Sequence, residues 1–351
     1  MSDIAAAVDG RELWRALGRS GRVEKVYAGT DVCRERLADL VRELDGGHPT
    51  GPVLAVCPQL AVALPILGAV SSPVAATAWR SAVAGDGMIS VAATDDGAAG
   101  SDLMGLRTSA RVTESGVTVS GRKRWIASAQ FADWHLVLAR HSDRDHFTSF
   151  TWLLVPAGAP GVRVVPAGTD FFSGGGVGHL QLDDVRLPRD HVIGRIGYGM
   201  ALFARHLSTE RYLSATWAAA LCRRAVGATR HRAAARRVRD EPLWRHDGVR
   251  ERLARCLVEI RKLDALCAGV AGGPDGPPAP VDGMVLKIAG ADTVATVLDV
   301  CAQLWGADGF GDAGMQRLRA EAAMFGIAGG ATEALLAAVA DRLPELLEVT
   351  P

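Results

Sequence analysis

Two short segments of the chain carry residues suited to holding a flat polar ligand. The first ends in Gly100-Ser101-Asp102, and its small residues leave backbone N–H groups accessible to a phosphate or a polar ring. The second contains Trp125, whose indole has a flat aromatic face on which a ligand ring could stack. A short glycine pattern alone is equally typical of an ordinary loop at the end of a strand. The rest of the chain decides between the two interpretations.

Four segments in a fixed order make the pattern more specific. They read Thr-Asp-Asp then Gly-Ser-Asp within 94–102, Gly-Arg-Lys-Arg-Trp-Ile at 121–126, Leu-Asp-Asp-Val-Arg-Leu-Pro at 182–188 and Gly-Tyr-Gly-Met at 197–200. This series resembles the acyl-CoA dehydrogenase family. Its members carry Thr-Glu-Pro and Gly-Ser-Asp, then Gly-x-Lys-x-Trp-Ile, then Phe-Asp-Asp-Val-x-Val-Pro. The resemblance extends from about Trp14 to Leu346.

The resemblance implies an FAD cofactor held partly by these segments. In the family, the tryptophan at the position of Trp125 lies against the flavin ring. The next matched position usually carries Thr or Ser in the family, and in this chain it is Ala127. The neighbouring Ser128 is the candidate to supply the missing hydroxyl. Alternation along a strand would, however, point the Ser128 side chain to the opposite face. The remaining implied contacts are those of Thr94 with the flavin pyrimidine and of Ser101, preceded by Gly100, near the pyrophosphate.

Two later matches imply a second group of FAD contacts and an oligomer. Arg236 falls where relatives have an arginine that crosses a dimer interface to the FAD diphosphate, a role that suits a guanidinium. Gln303 and Gly306 lie in a segment similar to Gln-x-x-Gly-Gly-x-Gly, which contacts the FAD of the partner subunit in the family. The implied state is a homodimer or homotetramer. Relatives follow the arginine with Phe-Gly, whereas this chain has Arg239-Asp240.

Catalysis is where the chain departs from the family. Removal of an α-proton needs a carboxylate, and the thioester carbonyl must be hydrogen-bonded. Most relatives place that carboxylate near the C-terminus, at the position where this chain has Gly329. Glycine has no side chain that could take the proton. Its backbone N–H could still donate a hydrogen bond to the thioester carbonyl. A minority of relatives carry the base in a Leu-Glu-Arg segment, which Thr209-Glu210-Arg211 matches in this chain. Glu210 is therefore the candidate base, and Arg211 is the residue that would orient Glu210 or close the site. An ion-paired structural role for Glu210 is the alternative.

Three functions are compatible with these residues. The first is FAD-dependent α,β-desaturation of an acyl thioester, carried by coenzyme A or by an acyl carrier protein, with Glu210 as base. The second is a flavin monooxygenase or oxidase on the same fold, which needs no α-proton base. The third is a non-catalytic flavin-binding or acyl-carrier-binding homologue. The altered site favours a role in a specialised biosynthetic pathway. The sequence does not identify the electron acceptor.

Composition limits the class of protein. The chain has 351 residues, of which 48% are hydrophobic and 22% charged, which is typical of an intracellular protein of two or three domains. Lys plus Arg and Asp plus Glu both number 39, so no net charge favours nucleic acid. We expect no apolar run near the length of about 20 residues that spans a bilayer, and hence a cytoplasmic protein. The six cysteines form no CxxC pair, so we expect free, buried thiols and no metal site.

The elements that must position these residues follow from hydrophobic spacing. Helical spacing predicts helices at 10–20, 31–45 and 55–70. Short alternating runs separated by Gly and Pro then predict a small β-barrel or sandwich with strands at 117–119, 135–138, 150–155, 162–165 and 180–182. Ala-rich helical spacing returns at 200–236, 245–271, 281–305 and 314–345, which predicts a four-helix bundle with a flexible connection at 272–278.

The predicted fold class is therefore α+β, with an N-terminal helical domain at 1–87, a middle β domain at 88–197 and a C-terminal helical bundle at 198–351. Relatives carry a longer segment before Thr-Glu-Pro, so Thr94 comes early and the N-terminal domain is expected to be shortened. One interpretation is that the shortening opens the substrate channel, which would suit a bulky or carrier-tethered acyl group. The alternative is that the shortening has no effect on the channel.

Overall fold

The computed structural model describes residues 3–97, 100–271, 277–311 and 314–347. The chain divides into two compact units, one built mainly from Met1–Leu40 and Gly47–Glu210, the other from Val41–Gly46, Arg211–Pro274 and Pro278–Pro351. The three-domain division at residues 88 and 198 stays a prediction. The connection predicted at 272–278 falls mainly on residues outside the described ranges.

Short helices precede the main sheet. They are α1 (Asp3–Ala6), α2 (Gly10–Arg19), α3 (Arg22–Lys25), α4 (Arg34–Gly47), α5 (Thr50–Pro58), α6 (Leu64–Gly68) and α7 (Pro73–Val83), with a hairpin of β1 (Tyr27–Ala28) and β2 (Asp31–Val32). Helix α2 begins where the Asp9 carboxylate accepts the N–H of Glu12 at 2.9 Å, a capping bond that satisfies one free helix donor. Helix α7 begins in the same way at Ser72.

The run Thr50–Gly68 corrects one expectation from the sequence. It spans 19 residues with a mean hydropathy of 1.7, so by length and composition it could cross a bilayer, whereas we expected no such run. A π-helical turn at Gln59–Ala63 joins its two α-helices after Pro58, which lacks a backbone N–H for the regular ladder. In the protein, 83% of its most apolar window is buried, the pattern of a core helix.

The middle of the chain forms one eight-stranded mixed sheet. Its strands are β3 (Ile89–Ala92), β4 (Ser109–Val112), β5 (Val117–Ile126), β6 (Trp134–Arg140), β7 (Phe150–Pro156), β8 (Val162–Pro166), β9 (Gly178–Leu187) and β10 (Val192–Ile193). Their order is β10-β7-β6-β4-β5-β9-β8, with β3 paired to β6. β3 and β4 run parallel to β6, and the other pairs are antiparallel. Inward side chains such as Val119, Val137, Leu153 and Leu182 form its apolar core.

A buried ion pair links this sheet to the segment after β3. Lys123 of β5 lies 2.5 Å from the Asp95 carboxylate, and the two side chains are 0% and 2% exposed. The ammonium also donates to the carbonyls of Ala93 at 2.9 Å and Leu138 at 2.7 Å. Thr108 donates both its N–H and its hydroxyl to Asp95 at 2.7 Å. Such extra bonds are what a buried pair needs to offset its desolvation.

Both members of this pair stay charged at neutral pH. Burial lowers the pKa of Lys123 to about 8, although the Asp95 charge opposes this shift. For Asp95 burial acts to raise the pKa, but the Lys123 charge and the bonds from Lys123 and Thr108 outweigh it and leave the pKa below its ordinary 3.8. The segment carrying Thr94 is therefore fixed to the sheet by an ionic bond that water does not reach.

The C-terminal part of the chain is helical. It contains α8 (Gly199–Ala235), α9 (Asp247–Ala271), α10 (Pro280–Trp305), α11 (Met315–Ala322), α12 (Thr332–Ala340) and α13 (Leu343–Leu347), with a hairpin of β11 (Arg237–Val238) and β12 (Glu241–Pro242) after α8. In the second unit, the Asp45 carboxylate accepts from Trp217 and, through two bonds of 2.9 Å, from Arg224. The six cysteines are free as predicted; Cys33 is half-buried and the others are buried.

The prediction of one long helix at 314–345 was wrong. Helix α11 ends at Ala322 and α12 begins only at Thr332. Between them, Gly329 and Gly330 have φ values of 71° and 106°, a left-handed backbone that an α-helix does not tolerate. The break therefore places a glycine turn at residues 329–330.

The buried pair gives a first prediction for stability. We expect Asp95→Asn to lower the free energy of unfolding by about 3 to 5 kcal/mol, because it leaves the buried Lys123 ammonium without its counter-charge. Urea unfolding at pH 7 measures this loss. The loss should shrink as the pH falls through the lowered pKa of Asp95, because the wild-type carboxyl is then neutral as well.

The neighbouring Asp96 supplies the matched control. Its ion pair with Arg124, at 3.2 Å, is formed by side chains that are 41% and 44% exposed. Asp96→Asn should therefore cost less than about 1 kcal/mol, as for most surface pairs. Equal losses in the two variants would contradict the structural importance of the Asp95–Lys123 pair.

Candidate functional site

Trp125 is displayed on an irregularity of strand β5. The register of β5 against β9 shifts between Lys123 and Ile126, which marks a β-bulge. Trp125 has a φ of 56°, a strained conformation for a bulky residue, and it is 56% exposed. Its N–H donates to the Nδ1 of His179 at 3.2 Å, and the two rings meet edge to face at 5.4 Å. The local backbone therefore holds an aromatic plate at the surface.

The segment after β3 lies beside this bulge. The Arg124 N–H donates to the Thr94 carbonyl at 3.0 Å, so Thr94 is fixed next to the residue that precedes Trp125. A Cβ at Gly100 would lie 3.4 Å from the Thr94 methyl, so a larger residue at 100 would crowd Thr94. The structure thus brings Thr94 and Gly100 together beside the end of strand β5 that carries Trp125. Ser101 is half-buried on the same segment, and residues 98 and 99 lie outside the described ranges.

Ala127 and Ser128 follow the bulge in a turn. Ser128 has a φ of 57°, and its N–H donates to the Gly175 carbonyl at 3.0 Å. Ser128 is 1% exposed, whereas Ala127 is half-buried and Trp125 is exposed. The Ser128 hydroxyl therefore lies inside the protein and does not share the exposed surface of Trp125.

In the second unit, the structure brings the later candidates together. A Cβ at Gly306, where φ is 62°, would lie 3.6 Å from the Arg236 guanidinium, and only a small residue leaves this space open. Gln303, one turn before, accepts a hydrogen bond from Arg252. The Leu243 N–H donates to the Arg236 carbonyl at 2.7 Å and so fixes the backbone at the hairpin. These contacts form a polar, basic surface around Arg236, Gln303 and Gly306.

Two arginines at this surface were not singled out by the sequence. Arg232 forms an ion pair with Asp308 and lies over the Trp305 ring, with its guanidinium carbon 5.2 Å from the ring centroid. Arg252 binds Gln303 from helix α9. Neither arginine lies in one of the matched motifs, so no sequence signal distinguished them.

The candidate catalytic residues lie on helix α8 and on the glycine turn. Glu210 is half-buried and its Oε2 atom is buried; Arg211, the next residue, is 9% exposed. The Arg211 Nε donates to the Gly329 carbonyl at 2.9 Å, and a Cβ at Gly330 would lie 3.4 Å from its Nη2. The structure therefore brings Arg211 and Gly329 into direct contact. The glycine turn is shaped to receive a guanidinium on its carbonyl side.

Two family models match most of the part of the chain that carries the sheet and the C-terminal helices. Residues 90–185 match the family model described as acyl-CoA dehydrogenase, middle domain, and residues 197–343 match that described as acyl-CoA dehydrogenase, C-terminal domain. The two models together cover more than half of the chain. The chain belongs to the acyl-CoA dehydrogenase family.

Similar proteins agree with this assignment. The acyl-[acyl-carrier-protein] dehydrogenase MbtN of Mycobacterium tuberculosis is 27% identical over 236 residues, which cover 65% of this chain and 59% of that protein. The match thus spans less than two thirds of this curated relative.

Solved structures share the fold. A glutaryl-CoA dehydrogenase from Mycobacterium smegmatis in complex with FADH2 superposes with a TM-score of 0.86 at 22% identity, covering 95% of this chain and 86% of that chain. FkbI, described as serving biosynthesis of the methoxymalonyl extender unit of the FK520 polyketide, gives a TM-score of 0.83 at 22% identity, covering 98% and 96%. The predicted α+β fold is confirmed.

The glycine turn gives a second prediction. Gly329→Ala should lower the free energy of unfolding by about 1 kcal/mol, because an L-residue is strained at its φ of 71°. Thermal or urea unfolding measures the loss. Gly326→Ala is the matched control: nothing lies within 4 Å of a Cβ at Gly326 and its φ is not left-handed, so we expect no loss. Equal effects would show that the turn does not depend on its left-handed backbone.

Proposed function

We propose that the protein is an FAD-dependent dehydrogenase that introduces an α,β double bond into an acyl thioester. The observation that carries this proposal is the exposed Trp125, held in a strained conformation beside Thr94. A protein gains nothing in folding from displaying a strained tryptophan, so the conformation favours a ligand that covers the ring. The similar glutaryl-CoA dehydrogenase, described in complex with FADH2, supports FAD as that ligand.

The residues present fit this cofactor. Trp125 would lie against the flavin ring, Thr94 would bind its pyrimidine edge, and Gly100 and Ser101 would lie near the pyrophosphate. The FAD of the partner subunit, in a homodimer or homotetramer, would be bound by Arg236, Gln303 and Gly306. The Arg236 guanidinium lies beside Gly306, which has no side chain to cover it, and so could bond the FAD diphosphate. Ala127 supplies no hydroxyl and Ser128 is buried, so the flavin would lack that side-chain contact. When bound, FAD supplies the hydride acceptor for the β-carbon.

Glu210 is the proposed base. Its carboxylate would take the α-proton of the acyl group, because Gly329 has no side chain that could do so. Arg211 would fix the turn through the Gly329 carbonyl at 2.9 Å, which leaves the Gly329 N–H as the candidate donor to the thioester carbonyl. Hydrogen bonding to that carbonyl makes the α-carbon more acidic.

The substrate class is an acyl thioester of coenzyme A or of an acyl carrier protein. The names of MbtN, an acyl-carrier-protein dehydrogenase, and of FkbI, which serves polyketide biosynthesis, support a carrier-bound substrate in a biosynthetic pathway. The cytoplasm is the location we propose for it. The missing carboxylate at Gly329 favours one other activity on this fold, a flavin monooxygenase or oxidase, which needs no α-proton base.

The third prediction tests the base. In the FAD-loaded protein, anaerobic mixing with a panel of acyl-CoA and acyl-carrier thioesters should bleach the flavin absorbance. Glu210→Gln should slow this reduction by a factor of about 10² to 10⁴ with unchanged FAD content, because an amide does not accept the proton. Stopped-flow absorbance measures both rates.

The possible outcomes separate the activities. Unchanged bleaching in Glu210→Gln would remove Glu210 from the role of base. Reduction that requires NAD(P)H and a reductase, with oxygen incorporated into the product, would establish the monooxygenase. A protein that binds no FAD would refute all flavin-dependent functions.

The fourth prediction tests the aromatic plate. Trp125→Ala should weaken FAD binding by about fivefold to tenfold, the loss expected from one aromatic stacking contact. Titration of the apoprotein with FAD, followed by flavin fluorescence, measures the dissociation constant. Phe147→Ala is the control, because Phe147 is equally exposed, at 55% against 56% for Trp125, but lies outside the proposed FAD site. Equal dissociation constants in the two variants would argue against stacking on Trp125.

A further inference from the structure

His206 is a buried histidine on helix α8, one turn before Glu210. The helix is continuous from Gly199 to Ala235, so residues four apart lie on the same face with Cβ atoms about 5 to 6 Å apart. His206 is 7% exposed, and the Oε2 atom of Glu210 is also buried. His206 and Glu210 therefore share one face of helix α8, with the His206 Nε2 and the Glu210 Oε2 both buried.

The hydrogen bonding of His206 is incomplete. Its Nε2 atom is buried, and none of the residues that the structure describes forms a hydrogen bond with it. A buried polar atom left in this state costs about 1 to 3 kcal/mol, so its presence needs an explanation. A core position with no functional requirement would be filled more stably by an apolar side chain. The uncompensated Nε2 is available for a hydrogen bond in the working enzyme.

His206 is neutral at physiological pH. Burial lowers its pKa to about 4; the neighbouring Arg205 charge adds to this shift and Asp31 opposes it. A neutral imidazole has one N–H donor and one acceptor nitrogen. It therefore offers a hydrogen bond to a carboxylate without bringing a positive charge into the site.

We propose that His206 is a positioning residue for Glu210, and that its ring N–H donates to the Glu210 carboxylate and orients the other oxygen toward the α-proton of the acyl group. This inference rests on the proposed role of Glu210 as base. The imidazole keeps its own proton throughout, and the α-proton passes to Glu210. A hydrogen bond donated to an ionised carboxylate favours the ionised form.

Three variants of His206 distinguish positioning from a merely structural role. His206→Gln keeps an N–H donor at nearly the distance of Nε2, His206→Asn places its amide too close to the helix, and His206→Met fills the volume without a donor. The rate of flavin reduction is measured against pH in the FAD-loaded proteins, with FAD content and thermal stability recorded for each. Ser208→Ala is the control, since the Ser208 hydroxyl is also buried without a hydrogen bond among the described residues, but two residues from Glu210 and so on another face.

We expect His206→Met and His206→Asn to reduce the flavin at least ~10-fold more slowly at pH 7, with the acidic limb of the profile displaced upward by about one pH unit. His206→Gln should restore the rate to within severalfold and return the limb to its wild-type position. Ser208→Ala should leave the limb unchanged. If His206→Met does not fold, the comparison of His206→Asn with His206→Gln decides the question.

Failure of this inference is distinguishable from failure of the proposed function. If Glu210→Gln abolishes reduction while His206→Asn and His206→Met keep the wild-type profile, Glu210 is the base and the role of His206 is refuted. If His206→Gln is as slow as His206→Asn, the N–H donor is not what matters and the inference is again overturned. If Glu210→Gln reduces flavin at the wild-type rate, the proposed base itself is wrong.

Discussion

The buried pair of Lys123 and Asp95 is the interaction on which the candidate site depends. It joins strand β5 to the segment that follows β3, and both partners are almost inaccessible to water. A pair in this position is stable only when further bonds offset the loss of hydration, and the carbonyls of Ala93 and Leu138 and the two donors of Thr108 supply them. Thr94, between Ala93 and Asp95, is consequently held in one place, next to the strand that carries Trp125.

The sequence predicted the elements well and their irregularities poorly. Helices α2, α8, α9 and α10 and the central strands were found because their apolar residues follow a regular period. The bulge at Trp125 was not, because a left-handed tryptophan contradicts the preference of every bulky residue and is imposed by tertiary contacts. The break after α11 was missed because the glycines at 329 and 330 lie within an apolar, Ala-rich run whose period continues on both sides.

The same reasoning explains what was found and missed in the candidate site. Thr94, Trp125 and Arg236 were identified through short motifs, and the structure brings Thr94 to Trp125 and Arg236 to Gly306. His206 has no motif, and a histidine in an apolar helix is usually a core residue. The burial of its Nε2 without a hydrogen bond among the described residues, which it shares with His135, is a property of the folded chain; the position of His206 one turn before Glu210 is what relates it to the candidate site.

The proposed placement of the base on helix α8 changes the physical requirements of catalysis. A carboxylate in a loop is positioned by the loop backbone, whereas Glu210 is positioned by a helix of 37 residues and by its neighbours on that helix. Its basicity then depends on what surrounds it. A cation bonded to the carboxylate would orient it but would also make it a weaker base, while a neutral donor orients it at a smaller cost in basicity. His206 is kept neutral chiefly by burial, so the proposed bond from its N–H would orient the carboxylate without adding a positive charge. A neutral donor of this kind suits a carboxylate that must be ionised at neutral pH and still remove a weakly acidic proton.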